Sequence, residues 1–395
     1  MLQALAGSSW PAAGSLVGSA AVGVPDPSLA LALCLATDSA SRPQLAQQAR
    51  LEVLREAADQ RRRQLAGDTV TYVVNRNLNV SNHCVKHCSF CAFRRDAGSE
   101  GAYWLDLDTL QQRAAAAQAL GASELCLQGG LNSEARLEGS SLRYHARLLE
   151  ALAEAAPGIH LHAFSPQELL FIAEQDELPL DTVLAVLEAS GLGSIPGTAA
   201  EVLSEAVRRE LCPEKLSARA WCAVVLQAHS RGLATTATLM AGHLETSADR
   251  VAHLLTLVEL QRRAWGRAQP GFSEFVLLPY VGEAAPAPLR RRVGRDQPDR
   301  ADMLVLTAQS RLLLGSWFLN HQPSWVKLGL DGASEALRWG CNDLGGTLME
   351  EHITSMAGAR GGTAQSPQQL EAAAAGLGRP VRRRTTLYAM TPPSP

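Results

Sequence analysis

Short apolar, β-branched runs alternate with longer amphipathic stretches along most of this chain. Alternating runs of the first kind indicate strands, and apolar residues that recur at helical spacing indicate helices. The predicted strands cover residues 70–74, 124–130, 159–165, 191–197, 233–242, 272–280, 324–329 and 341–346. The helices predicted between them cover residues 110–120, 142–155, 166–188, 199–209, 218–231, 247–263 and 301–314. Residues 282–300, rich in proline and arginine, are predicted to form a long loop.

This alternation predicts an α/β fold in which parallel strands are joined by crossover helices. Eight such units over about 250 residues fit a closed (β/α)8 TIM-type barrel, whose chemistry lies at the carboxyl ends of the strands. A doubly wound open sheet is the alternative, but no GxGxxG fingerprint follows the first predicted strand. The closed barrel is therefore our prediction.

The segment before the barrel has two parts. Residues 1–42 are rich in Ala, Gly, Ser and Pro and are predicted to be a poorly ordered leader. Residues 43–69 predict an N-terminal helix that ends at Gly67 as its C-cap, with the three arginines at 61–63 in solvent. One face of this helix carries Leu51, Leu54 and Ala58.

The segment after the barrel is predicted to be a C-terminal cap or packing tail. With the barrel assigned to residues 70–349, this cap covers residues 350–395 and includes a helical stretch at 367–377. The arginines at 382–384 are interpreted as solvated or ion-paired, with phosphate binding as the alternative.

The composition is that of a globular protein, with 46% hydrophobic and 19% charged residues among 395. The net charge of −3 gives no electrostatic case for a nucleic-acid or membrane partner. The apolar run at 29–35 is far shorter than the roughly 20 residues of a membrane span, and no basic segment of a secretory signal precedes it. We therefore expect a soluble cytoplasmic protein, in a compartment that keeps thiols reduced.

One loop concentrates the metal-binding chemistry. Cys84, Cys88 and Cys91 follow the first predicted strand with the spacing C-x3-C-x2-C. Three thiolates on a short loop can each bind one iron of a 4Fe–4S cluster and leave the fourth iron without a protein ligand. An open coordination position is what distinguishes a catalytic metal site from a structural one. The spacing therefore predicts a catalytic 4Fe–4S cluster.

Two other interpretations of these cysteines are open. A zinc ion could take His83 or His87 as its fourth ligand, although the spacing fits the usual zinc motifs poorly. A disulfide framework is disfavoured because only eight cysteines occur in 395 residues and no secretory signal precedes them. The cysteines without mutual ligand spacing are interpreted as structural thiols: Cys126, Cys212, Cys222 and Cys341.

The cysteine spacing, with Phe90 directly before the last cysteine, resembles the radical S-adenosylmethionine (SAM) superfamily. The resemblance implies SAM as a cofactor, bound near Phe90. Members commonly hold the amino group of SAM with a Gly-Gly-Glu motif at the end of the second strand. Here Gln128, Gly129 and Gly130 occupy that place, and Leu131 stands where the glutamate is expected. Glycines at this position let the backbone approach a ligand closely.

Two further residues are candidates for contacts with SAM. Ser165 lies just beyond the third predicted strand. Glu201, near the start of the next helix, either bonds the ribose hydroxyls of SAM or favours the positive end of the helix dipole.

Polar residues in other strands are candidates for substrate binding. His160 and His162 share one face of the third strand, although either alone is as well explained as a core residue. Glu274 lies between two phenylalanines, where a carboxylate is costly unless it is paired or holds a ligand. Lys327 or an arginine inside the barrel is its alternative partner. The remaining candidates are His243, Asn342 and Asp343.

Longer motifs are spread from residue 67 to residue 388: YVVNRNLN, CAFRRD, QGG, HAFSP, IPGTAAE, TTATLMAGH, SWVKLG, NDLGGTLMEE and RTTLY. Together they resemble the tyrosine-using FO synthase subunits, a group within the radical SAM superfamily. Two related groups in the menaquinone futalosine pathway share the barrel and parts of the early motifs. The NDLGGTLMEE stretch favours the FO synthase group.

This resemblance implies a reaction. The cluster, reduced by one electron, cleaves SAM into methionine and a 5′-deoxyadenosyl radical, which takes a hydrogen from the amino group of L-tyrosine. The Cα–Cβ bond of tyrosine breaks and 2-iminoacetate leaves. The 4-hydroxybenzyl fragment adds to the pyrimidine of 5-amino-6-(D-ribitylamino)uracil and gives a precursor of the deazaflavin FO. A closed barrel would shield such a radical from water.

The resemblance also implies partners. A one-electron reductant supplies the cluster, and a second radical SAM subunit closes the FO ring, because this chain has a single C-x3-C-x2-C motif. The alternatives are a menaquinone-pathway enzyme, a tyrosine lyase, and a non-enzymatic iron–sulfur or zinc module. The sequence identifies no catalytic acid or base.

Overall fold

The computed structural model describes residues 44–391, and the predicted leader at 1–42 lies outside them. The strands are β1 (Val70–Val73), β2 (Asn75–Leu78), β3 (Glu124–Leu127), β4 (His160–Ala163), β5 (Leu192–Ile195), β6 (Ala234–Ala241), β7 (Phe272–Pro279), β8 (His321–Pro323), β9 (Asp343–Gly346) and β10 (Val381–Arg383). The helices are α1 (Gln44–Ala66), α2 (Leu107–Ala119), α3 (Ser141–Ala155), α4 (Pro166–Gln175), α5 (Leu180–Ala189), α6 (Glu205–Leu211), α7 (Ala218–Ser230), α8 (Ser247–Trp265), α9 (Ala287–Val293), α10 (Arg300–Leu314), α11 (Trp325–Ala336) and α12 (Pro367–Ala375).

These strands form a parallel barrel. β2 to β8 pair in chain order, and β9 and β10 pair with β1. Only Val74 separates β1 from β2, and the chain beyond β9 continues along β2, where Asn77 N–H donates to Leu348 O at 2.8 Å. On its other side β9 meets β8, with Asn342 N–H donating to His321 O at 3.1 Å. The ring is therefore closed, and the predicted (β/α)8 barrel is confirmed.

Apolar side chains fill the space between the strands and the surrounding helices. One cluster includes Leu125 and Leu161 of β3 and β4, and a second includes Leu239 and Phe275 of β6 and β7. β6 is buried along its whole length, as expected for a strand of a parallel barrel covered by helices. Within residues 44–391, no helix combines the length and the apolar character that crossing a bilayer requires.

Residues 324–329, predicted as a strand, are helical, and this prediction is wrong. The strand here is the shorter β8, and α11 starts at Trp325 and kinks at Gly329, where φ is +73°. Trp325 and Val326 are buried, and Trp325 Nε1 donates to Gly346 O at 3.0 Å. Over so few residues, the apolar side chains that a helix packs against the barrel cannot be distinguished from those of a buried strand, which explains the error.

Residues 282–300 are not the irregular loop that their composition predicted. They contain α9, which follows Pro286 and ends at Gly294 with φ of +75°. A proline at the start and a left-handed glycine at the end are usual helix boundaries. The helix is short, and the proline and arginine content obscured it.

The N-terminal helix α1 packs and ends as predicted. Leu54 and Ala58 are buried in a small cluster with Ala308 of α10. Gly67, with φ of +66°, follows the last turn, and its N–H donates to Arg63 O at 3.0 Å. The helix is thereby attached to the outside of the barrel.

The prediction that the arginines at 61–63 lie in solvent is wrong for Arg62. Its side chain is buried and pairs with Asp59 at 2.7 Å and with Asp68 at 3.0 Å. A buried guanidinium is tolerated because both carboxylates and a backbone carbonyl surround it.

The C-terminal segment closes one end of the barrel. β10 pairs with β1, with Val381 beside Val70 at the end where β1 begins. Beyond β10, Arg384 is buried and, together with Thr386, lines the inside of the barrel. We call this end, covered by residues 384–388, the floor, and the carboxyl ends of the strands the mouth.

Candidate active site

The barrel contains a cavity of about 400 Å³ that extends from the cysteine loop to the floor. Most of the residues predicted to bind cofactor or substrate line this cavity: Cys84, Cys88, Phe90, Cys91, Gln128, Gly129, Gly130, His162, Ser165, Glu201 and Glu274. Four of the predicted residues do not line it: His160, His243, Asn342 and Asp343. Folding therefore brings residues from β2, β3, β4, β5 and β7, or from the loops that follow them, into one chamber.

The cysteine loop follows β2 and rests against the end of β3. Val85 N–H donates to Leu131 O at 3.1 Å. A Cβ on Gly130 would lie 2.0 Å from His83 O, so a side chain at this position would push the loop away. Glycine at 130 is therefore needed for the close contact between loop and strand.

The three loop thiols line the cavity and take no part in disulfides. Burial raises the pKa of Cys84, and burial raises the pKa of Cys88 to about 12 although Lys215 opposes the shift. A bound metal displaces the proton of such a thiol and takes the thiolate as its ligand. Three half-buried free thiols on one wall fit a 4Fe–4S cluster, which takes one thiolate per iron.

The histidines near these thiols are not arranged as zinc ligands. His87 is exposed, with Nδ1 at 3.2 Å from Glu214 Oε2 and Nε2 at 2.8 Å from Arg94 Nη2. Over residues 44–391, no group of three His, Cys, Asp or Glu side chains is placed to hold a single metal ion. The zinc alternative thus lacks a ligand set in this part of the chain.

A carboxylate from another element, α4, contacts the QGG stretch. Glu168 Oε1 accepts from Gly129 N–H at 3.1 Å, and its Oε2 accepts from the N–H and Oγ–H of Ser165 at 2.7 and 2.6 Å. Ser165 and Glu168 form a capping box at the start of α4. Burial raises the pKa of Glu168 against these hydrogen bonds. Glu168 is not among the residues predicted from the sequence, although S-x-x-E at 165–168 is a capping-box signal.

Glu201 lies at the mouth in an ion pair that the sequence analysis did not foresee. Lys215 Nζ is 2.5 Å from Glu201 Oε1 and 5.3 Å from the centre of the Phe90 ring. Burial would raise the pKa of Glu201, but Lys215 overcomes this and lowers it. Lys215 lies between α6 and α7, where no local motif marks it.

Lys327 is a second cation at the mouth, and its amine makes no hydrogen bond or close ion pair within the described chain. Burial lowers the pKa of Lys327 to about 8, although Glu201 and Glu351 oppose the shift. From the sequence Lys327 was predicted only as a possible partner of Glu274, because residues 324–329 have the apolar pattern of a strand.

At the floor, Glu274 pairs with Arg384 rather than with Lys327. Arg384 Nη2 is 3.1 Å from Glu274 Oε2, and Arg384 Nε is 2.5 Å from Asp343 Oδ2. Tyr388 donates a hydrogen bond to Glu274 and packs its ring 3.9 Å from the Arg384 guanidinium carbon. Burial raises the pKa of Glu274 to about 7, with Arg384 opposing. Glu274 therefore lines the cavity, but its carboxylate is already bonded to Arg384 and Tyr388.

The two histidines of β4 share one hydroxyl. His160 Nε2 and His162 Nδ1 each lie 2.7 Å from Ser194 Oγ, and of the two only His162 lines the cavity. Burial lowers the pKa of His162 to about 4, so its ring is neutral at physiological pH.

His243 and Asn342 have internal partners away from the cavity wall. His243 Nε2 lies 3.0 Å from Met240 O, in its own turn. Asn342 precedes β9, and its Oδ1 accepts from Arg311 Nη2 at 2.7 Å. Both side chains hold neighbouring segments together.

Two family descriptions match this chain. Residues 78–257 match the radical SAM superfamily, and residues 269–393 match the CofH/MqnC C-terminal region. The first match covers the cysteine loop and β3 to β6, and the second covers β7 to β10 and the floor.

Relatives and solved structures agree with these matches. The chain is 56% identical to the 5-amino-6-(D-ribitylamino)uracil–L-tyrosine 4-hydroxyphenyl transferase of Synechococcus elongatus, over 92% of each chain. It is 59% identical to the enzyme of the same name from Gloeobacter violaceus, over 85% of this chain and 86% of that one. The fold is similar to methylornithine synthase (PylB), with a TM-score of 0.64, 15% identity and coverage of 89% and 93%. The hydrogenase maturase HydG from Carboxydothermus hydrogenoformans gives a TM-score of 0.64 and 15% identity, over 93% of this chain and 78% of that one.

Proposed function

We propose that this chain, which belongs to the 5-amino-6-(D-ribitylamino)uracil–L-tyrosine 4-hydroxyphenyl transferase family of the radical SAM superfamily, couples the 4-hydroxybenzyl fragment of L-tyrosine to 5-amino-6-(D-ribitylamino)uracil. The other products are 2-iminoacetate, methionine and 5′-deoxyadenosine, and the coupled product is a precursor of the deazaflavin FO. The observation that carries the proposal is the 56% identity over 92% of the chain to a curated enzyme of this name.

The cofactors of the superfamily are a 4Fe–4S cluster and SAM, and together they supply a 5′-deoxyadenosyl radical that abstracts hydrogen from the substrate. Cys84, Cys88 and Cys91 are the residues that would hold the cluster. The remaining task of the protein is to bind, orient and exclude water.

SAM binding is assigned to the mouth. Gly129 and Gly130 line the cavity and pack against the backbone of the cysteine loop, and Glu168 accepts a hydrogen bond from Gly129 N–H. Glu201 offers a carboxylate that can accept from ribose hydroxyls, and Phe90 offers an aromatic face. All of these groups lie on the wall next to the cysteine loop.

Tyrosine binding is assigned to the same end of the cavity. The carboxylate of tyrosine needs a cation that is not already paired within the described residues, a condition met by Lys327 and by Lys86 of the cysteine loop, whereas Lys215 and Arg384 are held by Glu201 and Asp343. Lys327 is chosen because burial lowers its pKa, so it gains most from an anionic partner. A charge-assisted hydrogen bond from Lys327 would anchor the amino acid beside the site of radical formation.

The floor excludes water from the amino-terminal end of the cavity. Arg384 and Tyr388 close the amino-terminal end of the barrel through their bonds to Glu274 and Asp343. A reactive radical intermediate requires such exclusion of water and of unwanted hydrogen donors.

Two partners and a compartment complete the proposal. A one-electron reductant reduces the cluster, and a second radical SAM subunit closes the FO ring. We place the protein in the cytoplasm because the three loop thiols must stay reduced to bind iron.

The test is an anaerobic assay of reconstituted protein with SAM, a reductant, tyrosine and the aminouracil. The expected result is 5′-deoxyadenosine together with a coupled product detected by mass spectrometry, and no coupled product when tyrosine is omitted. Formation of 5′-deoxyadenosine without coupling would contradict the substrate assignment. A protein that binds zinc but no iron and sulfide would contradict the whole proposal.

A further inference from the structure

Two carboxamides in the middle of the barrel have no hydrogen-bond partner within residues 44–391. Asn77 of β2 and Gln322 of β8 both line the cavity, and Asn77 Oδ1 is buried without a partner. The neighbouring amide is satisfied: Asn75 Nδ2 donates to Glu124 Oε1 at 2.7 Å, and Asn75 Oδ1 accepts from Leu348 N–H at 2.9 Å. A buried amide oxygen without a partner destabilises a fold, so Asn77 Oδ1 suggests a ligand, and the half-buried Gln322 carboxamide lines the same cavity.

The strand between them, β9, is shaped to leave room for one of these amides. A Cβ on Gly345 would lie 2.4 Å from Gln322 Nε2, and a Cβ on Gly346 would lie 2.0 Å from Asn75 Oδ1. Gly345 also has φ of +79°, which side chains rarely adopt. Gly345 therefore leaves room for the Gln322 carboxamide against β9, and Gly346 leaves room for the carboxamide of Asn75.

The chemistry of these groups fits a neutral heterocycle. A carboxamide offers an N–H donor beside a C=O acceptor, which is complementary to the C=O and N–H of a uracil imide edge. The unpaired charged amine at the mouth, Lys327, suits the carboxylate of an amino acid instead. The cavity thus has a charged end for amino acids and a neutral amide region below it.

We propose that Asn77 and Gln322 bind the imide edge of the pyrimidine ring and hold the aminouracil substrate between the mouth and the floor. This inference rests on the proposed function, because it assigns the second substrate of that reaction to a place in the cavity. It requires that methylation of the ring nitrogen N3, which removes the imide N–H, weakens binding at these two residues.

The experiment measures binding of 5-amino-6-(D-ribitylamino)uracil and of its N3-methyl analogue by calorimetry, with anaerobic full-length protein and no reductant. Wild type is expected to bind the parent compound roughly tenfold more tightly than the analogue. Gln322→Met and Asn77→Leu are each expected to lose most of that preference. Gln112→Met, a matched change at an exposed position of α2, is expected to keep it.

Two results would overturn the inference: a variant that keeps the full preference, or one that weakens both compounds equally. Circular dichroism checks folding, and Gln322→Leu, which also removes both the donor and the acceptor of the carboxamide, replaces Gln322→Met if that variant does not fold. Failure of the proposed function is a separate result. In that case wild type binds the aminouracil with the N3 preference but gives no coupled product with tyrosine.

Discussion

The mouth and the floor of this barrel differ in how many of their reactive side chains have a partner within the protein. At the mouth the three loop thiols are free, and the Lys327 amine has no close partner within the described residues. At the floor Arg384 is bonded to both Asp343 and Glu274, and the hydroxyl of Tyr388 completes the network. One end of the cavity is left open to ligands, and the other end is closed by the protein itself.

This difference separates binding groups from structural groups within one cavity. Burying a charge costs free energy unless a partner compensates for it, and the partner can be another side chain or a ligand. At the floor the compensating partners are other side chains, so the charged residues there contribute to closing the barrel. At the mouth Glu201 is already paired with Lys215, whereas the loop thiols and the Lys327 amine are left for cofactor and substrate. Lining the cavity is therefore insufficient evidence for a role in binding.

The largest expected effect is at the mouth. Replacing any one of Cys84, Cys88 or Cys91 with Ala removes a thiolate ligand and is expected to abolish iron–sulfur content and SAM cleavage together. Iron and sulfide analysis and electron paramagnetic resonance measure the first, and 5′-deoxyadenosine formation measures the second. Cys222→Ala, at a buried cysteine of α7, is the matched control and is expected to keep the cluster. Full activity in any loop variant would falsify the assignment.

At the floor, the largest effect is expected on stability. Arg384→Met leaves Asp343 and Glu274 buried without their cation, and breaking a buried pair in this way costs about 3–5 kcal/mol. Chemical denaturation measures the free energy of unfolding. Arg382→Met removes the same side chain from an exposed position of β10 and is expected to change stability by less than about 0.5 kcal/mol. If Arg384→Met and Arg382→Met lowered the free energy of unfolding equally, the buried ion pairs of Arg384 would not stabilise the floor.

The floor also predicts a pH dependence. Burial raises the pKa of Glu274 from 4.5 to about 7, so folded protein keeps a proton that the unfolded chain loses at lower pH. The stability from this proton is complete below about pH 4.5 and is lost as the pH rises to about 7. The groups that face Glu274 are Arg384, Asp343, Tyr388 and Glu124.

The measurement compares wild type with Glu274→Gln by denaturation at several pH values. Relative to the variant, the free energy of unfolding of wild type is expected to fall by up to about 3 kcal/mol between the two pKa values. A difference that stays constant over this range would show that Glu274 is ionised in the folded protein.

The smallest effect tests the unpaired cation of the mouth. Lys327→Met removes the proposed anchor of the tyrosine carboxylate and is expected to raise the KM for tyrosine roughly 10- to 100-fold, the value of a hydrogen bond to a charged group. Tyramine, which lacks the carboxylate, is expected to bind wild type and variant equally, and Lys327→Arg is expected to retain part of the tyrosine affinity. A matching loss of SAM affinity would assign Lys327 to the cofactor instead.

Several features of this protein could be predicted from local sequence. The cysteine spacing, the glycines at 129–130 and the cap at Gly67 each depend on a few neighbouring residues, and their prediction needed no knowledge of the fold. The strands β1 and β3 to β7 were also predictable, because each is an apolar run between turn residues, whereas β2 (NRNL) lies in what was predicted as the loop after β1. The prediction failed at α11, where a helix and a strand have the same apolar pattern over a short run.

The pairing of charged side chains was decided by the tertiary structure. Glu274 and Arg384 are 110 positions apart, and Gly129 and Glu168 are 39 apart, so no local pattern connects either pair. Closure of the barrel selects which side chains face inward, and the path of the C-terminal segment selects which of them receive a partner. The sequence by itself determined the cysteine spacing of the loop and the fold class, because both depend on short-range spacing and periodicity. Only the folded barrel decided which polar groups remain free for ligands, because that depends on contacts between residues far apart in the chain.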